Sequence, residues 1–385
     1  MRQLNCKTST LQWGEQMRLL YITNIPSPYR IDFFNTIGKE VDLTVIFEAK
    51  RAKGIRFDWN DDSIKEFKAI FLSNEEINET EINWNIRKHL VKGAYDIIIT
   101  TNYGYRTEMY AILYMQFHKI PYCIEIDGAI IKDEFLLKYW VKKRLISKAS
   151  MCFSPSASTD RYYEHYGVSK KRIIRYHFTS LKQTDILSSP LSKEEKSVLR
   201  RELKMSEKPS ILAIGQFIHR KGFDVLLKSL STIEVPSALF LIGGNPTEDF
   251  IELANNTDKC EVHFLPFQTR EIIKKYYMAS DLFVLPTRED IWGLVINEAM
   301  ANALPVISTY NCVSAVELIK SGYNGYLVPS DQDSILRERI LEIIQDEDKI
   351  ETMGKNSLNT IKLYTIEQMA KDHIVFFTEF LKNRR

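Results

Sequence analysis

The sequence predicts an α/β protein built from two doubly wound parallel-sheet domains. Three observations carry this. Short apolar runs alternate with helix-patterned stretches in both halves, the rhythm of a parallel sheet covered by helices. The 385 residues exceed one ordinary domain and suit two. A polar stretch over 182–209 separates the halves; it holds Ser188, Ser189 and Pro190, then a charged run, with no strand signal.

In the first half, residues 1–16 show no period, and Met17 opens a natural start, so 1–16 is expected to be a ragged leader or the product of a misassigned start codon. Strands are expected at 19–22, 41–47, 67–72, 96–100, 122–126, 152–154 and 173–178. Helices are expected at 31–37, 84–91, 109–117, 138–148 and 157–166. The loop after the first strand contains Pro26-Ser27-Pro28-Tyr29-Arg30 and lacks the Gly-rich dinucleotide fingerprint, which argues against NAD or FAD. Its hydroxyl, phenol and guanidinium (Ser27, Tyr29, Arg30) either shape an acceptor pocket or form a turn that starts a helix. Glu125 and Asp127 stand two apart at another strand end. An Asp127 that hydrogen-bonds a sugar or loop backbone is favoured there over a metal pair. No metal is expected.

Composition narrows the classes. With 44% hydrophobic and 26% charged residues the chain is ordinary for a soluble globular protein. No apolar run reaches membrane-spanning length, and no export signal is visible. Five scattered cysteines, Cys6, Cys123, Cys152, Cys260 and Cys312, suit neither zinc nor a disulfide framework and are expected to be reduced, in the cytoplasm. Residues 1–180 carry 27 Lys+Arg against 21 Asp+Glu, while residues 181–385 carry 25 against 29. Such a split suggests different partners for the halves. Neither half is basic enough for nucleic acid. The basic, aromatic stretch 138–148 is either a helix packed on the sheet or one lying on an anionic membrane surface.

The second half carries the chemistry. Strands are expected at 211–214, 239–242, 262–265, 282–285 and 305–308, with helices at 224–230, 272–279, 294–301, 315–320, 335–344 and 366–381. Between the first strand and its helix lies Gly215-Gln216-Phe217-Ile218-His219-Arg220-Lys221-Gly222. Two cations and two glycines at a strand-to-helix turn suit a diphosphate, although the spacing is not that of a P-loop. After 262–265, Phe267 could offer a ring face to a base. The stretch 281–308 is a strand–loop–helix–strand unit whose loop carries Arg288, Glu289, Asp290 and Gly293. Open α/β sheets place ligands at this strand end. Gly293 lets a ligand approach the backbone, and the N–H groups of Leu294 and Val295 would face an anion.

The Gly-x-x-x-x-Arg-Lys-Gly turn at 215–222, the Asp-Leu-Phe-Val-Leu-Pro run at 281–286, the Glu-Asp-x-Trp-Gly-Leu-x-x-x-Glu-Ala-Met-Ala block at 289–301 and the Asn-Gly-x-Leu-Val-Pro tail at 324–329 resemble the group-1 (family 4) retaining glycosyltransferases of the GT-B fold. The first half, with Asn-Ile-Pro-Ser-Pro-Tyr-Arg and Glu-Ile-Asp-Gly, is similar to a bacterial polysaccharide subgroup. The resemblance implies two Rossmann-like domains facing across a cleft. An acceptor domain would span 17–181, a linker 182–209 and a nucleotide-sugar domain 210–363, with a helix at 364–385 returning to the first domain. It implies that Glu298 binds the ribose, that Asp290 grips the donor sugar, that Gly293, Leu294 and Val295 meet the diphosphate and that Lys221 binds phosphate. Gly215, Gln216 and Phe267 complete the donor set. Ser27, Tyr29 and Arg30 are the acceptor set. Lys221, Arg220, Asp290 and Asp127 are the catalytic candidates.

There are departures. Asp290 replaces the usual glutamate and is one methylene shorter. Gln216 replaces an arginine, which leaves Arg220 to compensate. Asp127 stands near a position where relatives carry histidine. The Gly-rich loop after the first strand is replaced by Ser27-Pro28-Tyr29-Arg30.

The activity so implied is transfer of a sugar from a UDP- or GDP-type donor to an acceptor hydroxyl with retention, in surface polysaccharide or glycolipid synthesis. It needs no cofactor beyond the nucleotide sugar as co-substrate. The acceptor would be a glycan or a lipid-linked glycan, with the protein peripheral on the inner face of the membrane. A nucleotide-sugar epimerase on the same fold and a non-catalytic nucleotide-sugar-binding subunit remain open alternatives.

Overall fold

The computed structural model describes residues 16–51 and 63–382. The leader expected over 1–16 lies, except for Gln16, outside them. The first sheet is built from β1 (Arg18–Thr23), β2 (Asp42–Phe47), β3 (Lys68–Phe71), β4 (Ile97–Thr100), β5 (Cys123–Glu125), β6 (Cys152–Ser154) and β7 (Ile173–Arg175), in the order β3-β2-β1-β4-β5-β6-β7. The helices of this stretch are α1 (Pro28–Gly38), α2 (Arg106–Phe117), α3 (Leu136–Ile146) and α4 (Ala157–His165). β1 pairs in parallel with both β2 and β4. Leu19, Leu20, Tyr21 and Ile22 are fully buried, as strands covered on both faces require.

The second sheet follows α5 (Lys193–Leu203). It comprises β8 (Ser210–Ile214), β9 (Ser237–Ile242), β10 (Cys260–Leu265), β11 (Leu282–Leu285), β12 (Val306–Thr309) and β13 (Gly325–Val328), in the order β10-β9-β8-β11-β12-β13. Its helices are α6 (Phe223–Ser231), α7 (Glu248–Asn255), α8 (Arg270–Ala279), α9 (Leu294–Ala301), α10 (Val313–Leu318), α11 (Asp333–Ile344), α12 (Glu347–Ile361) and α13 (Ile366–Lys382). Successive residues of one strand serve opposite faces. Leu212, Ile214, Phe283 and Leu285 join Ile296 and Met300 on one side. Ile211, Ala213, Leu282 and Val284 join Leu226 and Ile340 on the other. Each fully buried Val, Leu, Ile, Phe or Met among them stabilises the sheet by about 1.5–3 kcal/mol. The strand order reverses between β8 and β11, and their carboxyl ends form the switch point where α/β sheets take ligands.

Contacts divide the chain into two compact units, 1–124 with 374–385, and 125–373. The division falls before the expected connector because residues 125–181 hold to the loops of the second sheet within the larger unit. Arg175 pairs with Glu317 at 3.0 Å and Lys132 with Glu289 at 2.6 Å. The connector is also more than a linker. α5 is closed by a capping box between Ser192 and Glu195. Its buried Arg200 pairs with Asp281 at 2.6 Å, which ties the helix to the base of β11. The strand expected over 173–178 stops at Arg175, and His177 turns instead to Asp372 at 2.7 Å. α7 and α12 were not expected from sequence.

α3 settles where its apolar residues point. Only Leu145 and Ile146 are buried. Phe135 is 88% exposed, Leu136 77% and Leu137 78%. Lys142 is held by Glu134 at 2.7 Å, so it is not part of an open basic face. Lys143 lies over the Trp140 ring at 4.9 Å. Among the described residues no helix is long and apolar enough to cross a membrane.

Candidate active site

The site grows from the carboxyl ends of β8 and β11. After β8 the chain passes Gly215 and closes a 3-10 turn, His219–Lys221, before α6. After β11 it runs through Thr287 to Gly293. The two loops are laced together. Arg288 N–H donates to the Arg220 carbonyl at 2.8 Å, and the Thr287 hydroxyl donates to the same oxygen at 2.8 Å. Arg288 forks onto Asp224 at 2.7 and 2.8 Å and reaches Asp331 at 2.7 Å. Asp224 is held below the usual carboxylate range by this guanidinium, which outweighs its burial.

The cations so positioned converge on one carboxylate. Lys221 Nζ donates to Asp290 Oδ2 at 2.6 Å, with both side chains largely enclosed. Arg220 donates to the Glu289 carbonyl at 2.7 Å and stands 3.8 Å from Asp290. The lysine therefore neutralises Asp290 directly, while the arginine braces the loop and lends charge from the side.

Gly293 starts α9. Its φ is 90°, and an added Cβ would stand 2.9 Å from Cys312 Sγ. Only glycine suits that conformation and that space. Behind it, Ser314 Oγ donates to the Trp292 carbonyl at 2.5 Å, and Cys312 Sγ lies 3.1 Å from the same oxygen. Burial, with the Asp290 charge nearby, pushes the Cys312 thiol up to about 11, so it remains protonated. Trp292 donates from Nε1 to Asn297 Oδ1 at 3.0 Å, and Asn297 donates to the Phe178 carbonyl at 3.3 Å. This brace fixes the entry to α9. Ile296, Ala299 and Met300 bury against the sheet. Leu294, Val295 and Glu298 stay partly open on the other side. Leu294 and Glu298, four residues apart, share one face of α9, which sets the Glu298 carboxylate one turn from the helix N-terminus.

Glu298 sits in a polar nest. The Tyr277 hydroxyl donates to its Oε2 at 3.0 Å, and the Ser180 hydroxyl reaches Oε1 at 3.5 Å. Desolvation raises Glu298 above its ordinary 4.5; the Tyr277 hydrogen bond, the charge of Arg270 and the Ser180 hydrogen bond oppose it. Burial, with the Glu298 charge, raises Tyr277 as well. The result is a half-enclosed carboxylate with acceptor capacity left over, suited to a pair of ligand hydroxyls.

The structure brings Gly215, Arg220, Lys221, Asp290, Gly293, Leu294, Val295 and Glu298 to one edge of the second sheet. Gln216 is exposed on the same turn. Phe267 is 70% exposed beyond β10, with its ring against Gly244. Asp127 follows β5 and is half-buried. Glu125 is buried and pairs with His373 at 3.2 Å. Among the described residues no group of His, Cys, Asp and Glu is arranged to hold a metal. In the smaller unit, Ser27 is the N-cap of α1 and Tyr29 lies in its first turn. Arg30 is buried at 3% exposure with its guanidinium 5.5 Å from the Tyr29 ring. Sequence reasoning missed Tyr277, Ser180, Asp224 and the Trp292–Asn297 brace. The spacing of Tyr277 within α8 was legible, but its direction towards Glu298 was not.

Fold and site define a two-sheet parallel α/β protein with two cations, two carboxylates and a helix N-terminus gathered at the switch point of its second sheet. Known proteins share the fold. Residues 195–360 match the family glycosyl transferases group 1. An uncharacterized 41.2 kDa protein in the cps region of Klebsiella pneumoniae is 29% identical over 203 residues, 50% of this chain and 53% of that protein. The chain therefore spans about half the length of that relative. The N,N'-diacetylbacillosaminyl-diphospho-undecaprenol alpha-1,3-N-acetylgalactosaminyltransferase of Campylobacter jejuni is 21% identical over 293 residues, 73% of this chain and 76% of that enzyme. Anabaena Alr3699/HepE, solved in complex with UDP, superposes with a TM-score of 0.75 at 17% identity, covering 94% of this chain and 100% of that one. The fold is that of the GT-B glycosyltransferases.

Proposed function

We propose that the protein transfers a sugar from a nucleoside diphosphate sugar to an acceptor hydroxyl, with retention, in the synthesis of a surface polysaccharide or glycolipid. The observation that carries this reading is the convergence of Lys221 and the α9 N-terminus beside Asp290, one helical turn from Glu298. A diphosphate seats on the N–H groups of Leu294 and Val295. Glu298 accepts from the ribose hydroxyls, and Asp290 accepts from the donor sugar. As the glycosidic bond breaks, charge builds on the β-phosphate. Lys221 and the helix end stabilise it, with Arg220 alongside. Lys221 must turn from Asp290 towards phosphate when the donor binds, which frees the carboxylate for the sugar. A metal ion is not required, because these groups do the neutralising. Retention follows if the acceptor attacks the face the nucleotide leaves and a phosphate oxygen takes its proton.

The nucleoside of the donor is uridine or guanosine. HepE, bound to UDP, supports a uridine donor. The Campylobacter relative, whose name specifies a diphospho-undecaprenol acceptor, supports a lipid-linked acceptor. The exposed apolar start of α3, flanked by Lys138, Lys143 and Arg144, supports peripheral docking on an anionic membrane. The experiment is incubation with UDP- and GDP-sugars, with and without a lipid-linked glycan acceptor. Nucleotide release that depends on the acceptor is expected. Isomerised donor without acceptor, or binding without turnover, overturns the reading.

A further inference from the structure

Beside the donor loop lies a second cavity of about 320 Å³, within the unit 125–373. None of Gly215, Lys221, Gly293 or Glu298 lines it. Its walls come from the segment after β5, from α4, from the loops after β11 and β12, and from α10. Arg161, Lys132, Glu289, Tyr310, Ile130 and Val316 give it its chemistry.

We propose that this cavity is a subsite for an anionic saccharide, a sugar unit carrying a carboxylate or a phosphate monoester, held as part of the acceptor. This rests on the reading of residues 288–293 as the donor-sugar loop. Arg161 is exposed on α4 and makes no ion pair or side-chain hydrogen bond among the described residues. Its planar fork is free to take two oxygens of a carboxylate or phosphate. Lys132 supplies the second charge. Its pair with Glu289, at 2.6 Å, joins side chains 58% and 35% exposed, so it is weak and readily exchanged for a ligand anion. Tyr310, 58% exposed, offers a ring face and a hydroxyl, and Ile130 and Val316 add apolar wall. A pyranose, with apolar C–H faces and a polar rim, suits such a lining.

The position follows from the backbone. Asp290 N–H donates to the Asn311 carbonyl at 3.0 Å, and Val313 N–H donates to the Asp290 carbonyl at 3.1 Å. The Tyr310 loop and the Asp290 loop thus form one bridged ribbon, with Glu289 on the cavity side and the Asp290 side chain on Lys221. A Cβ on Gly128 would stand 2.1 Å from the Ile291 carbonyl, so the wall after β5 presses directly on the same ribbon. A saccharide in the cavity would lie next to the sugar held by Asp290.

The test is calorimetric titration of the full chain with glucuronate, glucose 6-phosphate, inorganic phosphate and glucose. UDP and GDP are titrated separately. Either acidic sugar should bind at least about tenfold more tightly than glucose, the gain expected of a charge-assisted pair. Arg161→Ala should abolish that preference and leave nucleotide affinity and Tm unchanged. Glucose binding as tightly as both acidic sugars, phosphate alone binding as tightly as glucose 6-phosphate, or an unaffected Arg161→Ala variant overturns the proposal. Loss of nucleotide binding with acidic-sugar binding intact would instead count against the donor site and leave the subsite standing.

Discussion

Lys221 Nζ lies 2.6 Å from Asp290 Oδ2, so the cation assigned to the diphosphate neutralises the carboxylate assigned to the sugar. Each holds the other in place until a donor separates them. Lys221→Ala should therefore weaken nucleoside diphosphate binding by about 10- to 100-fold, the worth of one charge-assisted hydrogen bond. Calorimetry with UDP and GDP reads this directly. Asp290→Asn should leave nucleotide affinity close to wild type and lower turnover, because its carboxylate is assigned to the sugar alone.

Gly293→Ala tests the backbone of the same loop. The 90° φ and the 2.9 Å approach to Cys312 Sγ both oppose a side chain. The substitution should cost about 1–3 kcal/mol. A thermal melt should show a lower Tm, and nucleotide affinity should fall with it.

Glu298 gives the site a pH dependence. An ionised carboxylate offers ribose hydroxyls two acceptor oxygens and a full charge, and protonation removes the charge and turns one oxygen into a donor. Desolvation raises its pKa above 4.5, so nucleotide affinity should begin to fall, as pH drops, at a higher pH than an ordinary glutamate would give. The Tyr277 hydrogen bond opposes that rise. Tyr277→Phe should move the acidic limb to still higher pH, read as affinity against pH. The linkage to folding has the opposite sense. The stabilisation belongs to the protonated form, is fully present below 4.5 and is lost as pH rises through the raised folded value.

The start of α3 should act at a membrane surface. Replacing Phe135, Leu136 and Leu137 together by Ser should reduce co-sedimentation with anionic vesicles, since these apolar side chains are exposed among the described residues. Losing Lys143 should cost about 1 kcal/mol, roughly fivefold. Losing Lys142 should cost less, because Glu134 already neutralises it. Vesicle binding that ignores all of these changes removes the membrane from the account.

Much of this was legible in the sequence, for a physical reason. Buried parallel strands must be short apolar runs, so β11 and α9 could be bounded to the residue. α12 was hidden because Gly354, Asn356 and Asn359 interrupt its helical pattern, and α7 because eight residues carry too little period. Lys221 and Gly293 stand out in the sequence because charge and open backbone at a strand-to-helix turn suit a phosphate, and Glu298 stands out through the resemblance of the 289–301 block. Their supports do not. Arg288 with Asp224, Trp292 with Asn297 and Tyr277 with Glu298 are 64, 5 and 21 residues apart, and only the folded chain brings the distant partners together. Arg30 shows the converse, since a cation in a loop sequence proved to be buried.

The central claim is that Glu298 and the α9 N-terminus hold the nucleotide of a sugar donor. Calorimetric titration of UDP and GDP into wild type and Glu298→Ala tests it most directly. The account predicts binding of one nucleotide by wild type and at least a tenfold loss in the variant, as removal of a charged acceptor from two ligand hydroxyls requires. A Glu298→Ala protein that kept full affinity would contradict it.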